Sequence, residues 1–139
     1  MLRPRLTFRA DETARTLFIR WIGQIEGGEV VAGLMSYLVL LDRVWEYDMA
    51  IDLLRFDGHL HPVDVDTLSL SWQNLVQGRD AGRRTAIISH DPLLQARLNG
   101  TRAAFPKREL AMFAEVAPAM AWIGARQGQA VRKALCRLA

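Results

Sequence analysis

Residues 47–62 read YDMAIDLLRFDGHLHP, and this stretch decides the fold of the chain. Residues 49–54 are apolar apart from Asp52, which is typical of a strand covered by helices on both faces. The Asp-Gly pair at residues 57–58 favours a turn. Pro62 suits the first turn of a helix, because the amide hydrogen that proline lacks would have no intrahelical partner there. The stretch therefore predicts a buried strand, a short loop and a helix.

The residues on either side extend this unit into an alternating pattern. Residues 6–10 and 15–22 have extended patterns that predict a β-hairpin, and helical spacing follows from Val30 to about Arg43. A helix is then predicted from Pro62 and ends before Gly78 and Gly82, and a strand follows at residues 84–89. The next helix begins at Pro92 and is stopped by Asn99-Gly100. A last strand at residues 110–116 leads into a helix from near Pro118. The order β-β-α-β-α-β-α-β-α predicts an α/β fold with a mainly parallel sheet of four to five strands, an N-terminal hairpin and flanking helices.

Length and composition are those of an ordinary globular domain. The 139 residues fit one domain, which we expect to span residues 1–139, with a core at about residues 6–124 and a C-terminal helical extension at residues 125–139. No apolar run reaches the roughly 18 residues that a membrane helix needs. Cys136, the single cysteine, excludes an internal disulfide and is compatible with a reducing cytoplasm, where we expect the protein. The net charge of +3, with both signs mixed along the chain, does not favour a nucleic-acid partner.

Four segments of the chain together resemble a known family. They are the N-terminal hairpin with its helix, AIDLLRFDG at residues 50–58, AIISHD at residues 86–91, and residues 113–123, where an extended piece leads into PAMAWI. In element order and apolar pattern, over roughly residues 6–124, they resemble the SpoIIAA-like (STAS-like) domains. The resemblance implies a compact α/β domain that binds partner proteins or small apolar ligands and regulates, with no established chemistry.

The resemblance does not carry a phosphorylation site into this chain. The anti-sigma-factor antagonists of that family have Asp-Ser-[Ser/Thr]-Gly after the central strand and are phosphorylated on the serine. Here the same place reads Asp57-Gly58-His59-Leu60, so the hydroxyl group is missing. We assign no phosphorylation site, no catalytic residue and no cofactor.

The best candidate for a ligand site is the edge of the sheet where the two central strands end. Asp57, His59 and His61 follow the first of these strands, and His90 and Asp91 follow the second. In open α/β sheets, ligands bind beyond the carboxyl ends of the strands, near the amino ends of helices. These five residues are the candidates for a ligand-binding edge. Ordinary turn and capping chemistry is the explanation that we favour for them, because Asp-Gly and Asp-Pro are strong turn signals.

Asp57-x-His59-x-His61 also fits the D-x-H-x-H pattern with which amidohydrolases begin their metal site. Two histidines that are two residues apart on an extended segment present both imidazoles to one side, where zinc could bind. Those enzymes use a barrel of about 250 residues and draw further ligands from later strands. A small metal-dependent hydrolase with His59 and His61 as metal ligands is therefore only the alternative function.

The function that we favour is a non-catalytic regulatory module. It would bind a partner protein or a small apolar or anionic molecule, as a homodimer formed through the apolar side of an outer helix. A third possibility concerns the basic residues of the C-terminal extension, Arg126, Arg132, Lys133 and Arg137. These could bind anionic lipid or nucleic acid in a salt-sensitive way, but a solvated face or a helix packed on a second subunit explains them better.

Overall fold

The computed structural model describes residues 3–138, which are built around one five-stranded sheet. The strands are β1 (Arg5–Asp11), β2 (Thr16–Gly23), β3 (Asp48–Phe56), β4 (Arg84–Ile88) and β5 (Glu109–Phe113). The helices are α1 (Gly27–Leu38), α2 (Pro62–Val76), α3 (Pro92–Ala96), α4 (Leu98–Ala104) and α5 (Val116–Leu138). A short 3-10 turn, Val44–Glu46, precedes β3.

The strands lie across the sheet in chain order, from β1 to β5. β1 and β2 form an antiparallel hairpin, and the pairs β2–β3, β3–β4 and β4–β5 are parallel. Ile51 of β3 lies opposite Ile19 on one side and Ile87 on the other. The prediction of a mainly parallel sheet with an N-terminal hairpin is confirmed, and the apolar run of residues 49–54 is its central strand.

The helices cover the two faces of the sheet differently. On one face α1, α2 and α4 enclose the larger core, which includes Leu17, Val30 and Trp72. On the other face α5 packs against β3, β4 and β5. The smaller core beneath α5 consists of Ala50, Ala86, Ile88, Ala119 and Ile123. Burial of this apolar surface is the main favourable term in folding.

The first helix ends earlier than its apolar pattern predicts. α1 stops at Leu38, and not near Arg43. The amide of Val39 still bonds to the carbonyl of Met35, four residues back, but the two amides after it bond only three residues back, Leu40 to Tyr37 and Leu41 to Leu38. Arg43 has a φ of 51°, in the left-handed region, which no α-helix continues through. The apolar spacing persists into this turn, so the pattern alone does not locate the end.

The segment that follows β4 holds two helices where the sequence predicts one. The break falls at Arg97, whose φ and ψ are −94° and 5°, and Asn99 and Gly100 lie in the first turn of α4. The amide of Thr101 already donates to the carbonyl of Arg97. The prediction that Asn99-Gly100 stops a helix is wrong. In sequence, a glycine in the first turn of a helix is indistinguishable from one just beyond the last turn.

The start of the C-terminal extension is tied to the centre of the sheet. α5 continues through Gly124 and Gly128. Asp48, which is fully buried, accepts hydrogen bonds from Nε and Nη2 of Arg126 at 3.0 and 2.7 Å and from Nε2 of Gln127 at 3.1 Å. Its other carboxylate oxygen accepts the backbone amide of Arg84 at 2.8 Å. Of the four basic residues considered as possible contacts for anionic partners, Arg126 is therefore engaged inside the protein.

The distal part of α5 is exposed. Arg132, Lys133 and Arg137 are all solvent-facing, and Cys136 is exposed as well. Among the helices that the structure describes, none is both long and apolar enough to cross a bilayer.

Candidate functional site

The candidate site lies where β3 and β4 end. Asp52 pairs with Ile88 in the parallel register, so the carboxyl ends of the two strands meet at one edge of the sheet. The loop of residues 57–61 leads from β3 into α2, and residues 89–91 lead from β4 into α3. The two segments that carry the predicted site residues thus leave the sheet at the edge where ligands bind in open α/β folds.

A pocket of about 330 Å³ opens between these segments, and we call it the strand-end pocket. Its polar side chains come from the loops, from α2 and from the α3–α4 segment, and are His59, Asp66, Ser89, Asp91, Arg97 and Thr101. Its apolar side chains are Leu53, Phe56, Leu60, Val65, Leu93 and Leu94. A volume of this size, with mostly apolar walls and a few polar groups, is typical of small-molecule sites.

Of the five residues predicted to form the ligand-binding edge, His59 and Asp91 line the strand-end pocket. Asp57 does not line it; its side chain is exposed, and its amide donates to the carbonyl of Gly23 at 2.9 Å. The loop therefore leaves β3 along the end of β2 before it turns towards α2.

The other two histidines have local structural partners. His61 is the residue before the first turn of α2, and its amide donates to the carboxylate of Asp64 at 2.9 Å. His90 lies towards β5, where its Nε2 is 2.8 Å from the carbonyl oxygen of Ala114. The structure places neither imidazole among the pocket walls.

Ser89 and Asp91 organise the second loop. Ser89 is buried, and its Oγ accepts the amide of Asp91 at 3.0 Å. Asp91 in turn accepts the amide of Leu93 at 2.9 Å through Oδ1, which caps α3. The carboxylate of Asp91 is thus already engaged in holding the pocket wall.

Close packing fixes the first loop. A Cβ atom on Gly58 would collide with the carbonyl oxygen of Ile25 and with the ring of Phe56. That ring packs edge-on against Trp21, with the centroids 5.4 Å apart. Only glycine fits between these groups, so the strand-end pocket has a rigid wall at this point.

Sequence reasoning missed Arg97 and Thr101. Arg97 is exposed and forms no ion pair with any described residue. The sequence signal for Arg97 is that it has no acidic residue at helical spacing. The positions three and four residues before and after it are leucine, glycine and threonine, and none of these can neutralise an arginine. Thr101 follows Arg97 by four residues, and its Oγ1 donates to the Arg97 carbonyl at 3.3 Å.

The arrangement does not support the metal-dependent hydrolase. Within residues 3–138, no group of three or more His, Cys, Asp or Glu side chains is placed to hold a metal ion. His59 lines the pocket and His61 does not, so the two imidazoles of the D-x-H-x-H segment do not share one wall. A zinc site needs three or four protein donors arranged around one point.

Comparisons with known proteins support the fold and give no activity. The sequence matches no family model and no curated protein. A solved structure that it resembles is that of an uncharacterised protein of the DUF3478 family with a SpoIIAA-like fold from Shewanella loihica PV-4. The two share 20% sequence identity and a TM-score of 0.56 over 86% of this chain and 93% of that one. The chain has a SpoIIAA-like fold, as the resemblance of its segments predicted.

Proposed function

We propose that this protein is a non-catalytic binding module that holds a small molecule with an apolar body and an anionic group in the strand-end pocket. The observation that carries the proposal is the position of Arg97, an arginine without an ion-pair partner among the described residues, on the wall of a pocket of about 330 Å³. Apolar walls favour an apolar body, and a guanidinium group favours a carboxylate, sulfonate or phosphate.

The other charged groups of the pocket refine this proposal. Asp91 caps α3 through Oδ1 and remains a carboxylate on the pocket wall. Asp66, on α2, is a second acidic side chain of the pocket. An anionic ligand is therefore attracted by Arg97 and repelled by Asp66 and Asp91, and variants of Arg97 and Asp66 have opposite expected effects.

Octanoate and octanol test the proposal, because they share an alkyl chain and differ in charge. Displacement of the fluorescent probe 1-anilinonaphthalene-8-sulfonate would report the affinity of each. We expect octanoate to bind more tightly than octanol. In Arg97→Gln its Kd should rise roughly fivefold, since a charge-assisted contact at a partly exposed site contributes about 1 kcal/mol. Asp66→Asn should strengthen octanoate binding and leave octanol binding unchanged.

A pocket-filling variant has a matched control in this chain. Gly100 lines the strand-end pocket, and a Cβ added there meets no atom within 4 Å; Gly124, on α5 and outside the pocket, is equally open. Gly100→Phe should abolish octanoate binding, whereas Gly124→Phe should not. Octanoate affinity that is insensitive to both Arg97→Gln and Gly100→Phe would overturn the proposal.

No comparable observation favours the metal-dependent hydrolase as a second function. A regulatory role, a partner protein, a homodimer and a cytoplasmic location stay predictions from the sequence. Sedimentation of the purified chain at several concentrations would test the homodimer directly.

A further inference from the structure

The strand β1 lies at an edge of the sheet, and one side of its backbone is open. It pairs with β2 alone, and no other segment within residues 3–138 is hydrogen-bonded to its backbone. At the opposite edge β5 is shorter, and the carbonyl of Leu110 accepts Nε of Arg102, from α4, at 3.0 Å. In an antiparallel pair, every second residue directs its N–H and C=O groups away from the neighbouring strand. β1 therefore presents free donors and acceptors to which another strand can pair.

The two faces of β1 differ in polarity, and this limits how a second strand can pair with it. Its half-buried side chains, which pack against the larger core, are Leu6, Phe8 and Ala10. Its exposed side chains, which lie on the other face, are Arg5, Thr7, Arg9 and Asp11. The ring of Phe8 stacks on that of Tyr37, in α1, with the centroids 4.2 Å apart. A shift of one residue in the pairing would place apolar side chains opposite charged ones, so only shifts of two residues keep the faces matched.

Charge selects one register for two antiparallel copies of β1. With Phe8 opposite its equivalent, all seven residues are paired, and Arg5 of each copy lies opposite Asp11 of the other. A shift of two residues either way pairs only residues 5–9 or residues 7–11. The first shift places Arg5 opposite Arg9, and the second places Arg9 opposite its equivalent. Opposite charges stabilise a cross-strand pair and like charges destabilise it, so β1 is complementary to itself in the register centred on Phe8.

The charged side chains of β1 are available for this pairing. Neither Arg5 nor Asp11 forms an ion pair with another described residue. Oδ1 of Asp11 accepts the amide of Ala14 at 3.0 Å, in the turn that leads to β2, and a carboxylate accepts several hydrogen bonds at once. Arg9 instead lies over the ring of Phe18 in its own chain, with the guanidinium carbon 4.4 Å from the centroid. It therefore needs no acidic partner opposite it.

We propose that two copies of this chain associate through β1, antiparallel and centred on Phe8, into one continuous sheet with five strands from each copy. The two-fold axis makes the same surface of both copies the interface, so association through this edge ends at a dimer. The interface differs from the outer helix through which the sequence predicts a homodimer. It also lies apart from the strand-end pocket, so either proposal can fail while the other holds.

Charge reversal at Arg5 tests the interface and has a control in the same row of the sheet. Sedimentation equilibrium of the unaltered protein at several concentrations should show a monomer–dimer equilibrium. Arg5→Glu places like charges opposite each other at both symmetric positions, so the dimer Kd should rise about tenfold or more. Arg55 is exposed on β3, and Ile22 lies between it and Arg5 in the register. Arg55→Glu makes the same change of charge and should leave the dimer Kd unchanged.

Disulfide crosslinking tests the register itself. With Cys136→Ser as the background, chains carrying Thr7→Cys and chains carrying Arg9→Cys should crosslink when they are mixed. Directly opposed Cα atoms are about 4.5–5.5 Å apart, which is within the reach of a disulfide. Either variant alone should crosslink far more slowly, because equivalent positions then lie diagonally, about 7–8 Å apart.

Three outcomes would overturn the proposal. One is a monomer at every concentration of the unaltered protein. The second is a dimer with the same Kd in Arg5→Glu as in the unaltered protein. Dissociation of that dimer by Leu70→Glu, at a residue of α2 that is 66% exposed, would assign it to an outer helix. The third is faster crosslinking of Thr7→Cys with itself than with Arg9→Cys, which would show a different register.

Discussion

Replacing Arg126 with methionine should break the contact that ties α5 to the centre of the sheet. Arg126 donates two hydrogen bonds to Oδ2 of Asp48, at 3.0 and 2.7 Å. The side chain of Arg126 is 16% exposed, and that of Asp48 is 0% exposed. Methionine retains much of the apolar stem of the arginine, so the main change is the loss of charge and of hydrogen bonds.

The size of the expected loss in the free energy of unfolding depends on the hydrogen bonds that Asp48 retains. Removing one partner of a buried ion pair costs about 3–5 kcal/mol, because the other charge stays buried. Asp48 would retain the amides of Arg84 and Gln127 as donors, which places the expected loss in the free energy of unfolding at the lower end, about 3 kcal/mol. For a chain of 139 residues, this corresponds to a decrease in Tm of roughly 10 °C.

Urea denaturation would measure this loss against a matched arginine. Arg20 donates to Asp52 at 3.0 Å, as close a contact as the longer of the two that Arg126 makes, but its side chain is 49% exposed. Arg20→Met should therefore reduce the free energy of unfolding by less than about 1 kcal/mol. A double-mutant cycle that combines Arg126→Met with Asp48→Asn should show a coupling of at least about 1 kcal/mol. The argument fails if Arg126→Met and Arg20→Met lower stability equally.

Two further predictions concern the loop and the first helix. Gly58→Ala should lower the free energy of unfolding by about 1–3 kcal/mol and weaken octanoate binding, because the new Cβ meets the Ile25 carbonyl and the Phe56 ring. Gly100→Ala is the control: its Cβ lies in open space, so this variant should be at least as stable as the unaltered protein. Equal stability of the two variants would contradict the argument. Burial raises the pKa of Tyr37. The neutral phenol therefore contributes its full stabilisation below the pKa of about 10 that it has in the unfolded chain, and this contribution is lost as pH rises through the raised pKa. Tyr37→Phe should therefore flatten the alkaline decline of stability in urea titrations between about pH 9 and 11, and an unchanged slope would count against a raised pKa.

The elements of the fold could be predicted because their signals are local. Alternation in residues 6–10, the apolar run of residues 49–54 and Pro62 at the start of α2 each reflect a constraint that acts within a few residues of the chain. The end of α1 depends instead on how the chain must turn to enter β3, which the apolar spacing through Leu41 does not reveal. The same limit explains why the pair of Asp48 and Arg126 was not predicted, since these residues are 78 positions apart.

The sequence predicted that the loops after β3 and β4 meet at one edge of the sheet, but it identified only some of the side chains that line the pocket there. Parallel strands have their carboxyl ends at one edge, so the loops after β3 and β4 had to lie together. Which side chains face the pocket depends on the turn at Gly58 and on the break at Arg97, and both are set by packing against other parts of the chain. Histidines and acids drew attention by their chemistry, whereas Arg97 could have been found only by its lack of an acidic neighbour along the helix.

Two arginines of this protein differ in whether their charge is available to an anionic ligand. Arg97 lies on an exposed wall and has no described ion-pair partner, so an anion placed beside it gains attraction and keeps part of its hydration. Arg108 is buried next to Asp80, so an anion beside it would have to compete with a carboxylate that is already there. An arginine in a pocket wall therefore indicates an anionic ligand only when its charge is not balanced within the protein. By this criterion the strand-end pocket selects for an anionic group.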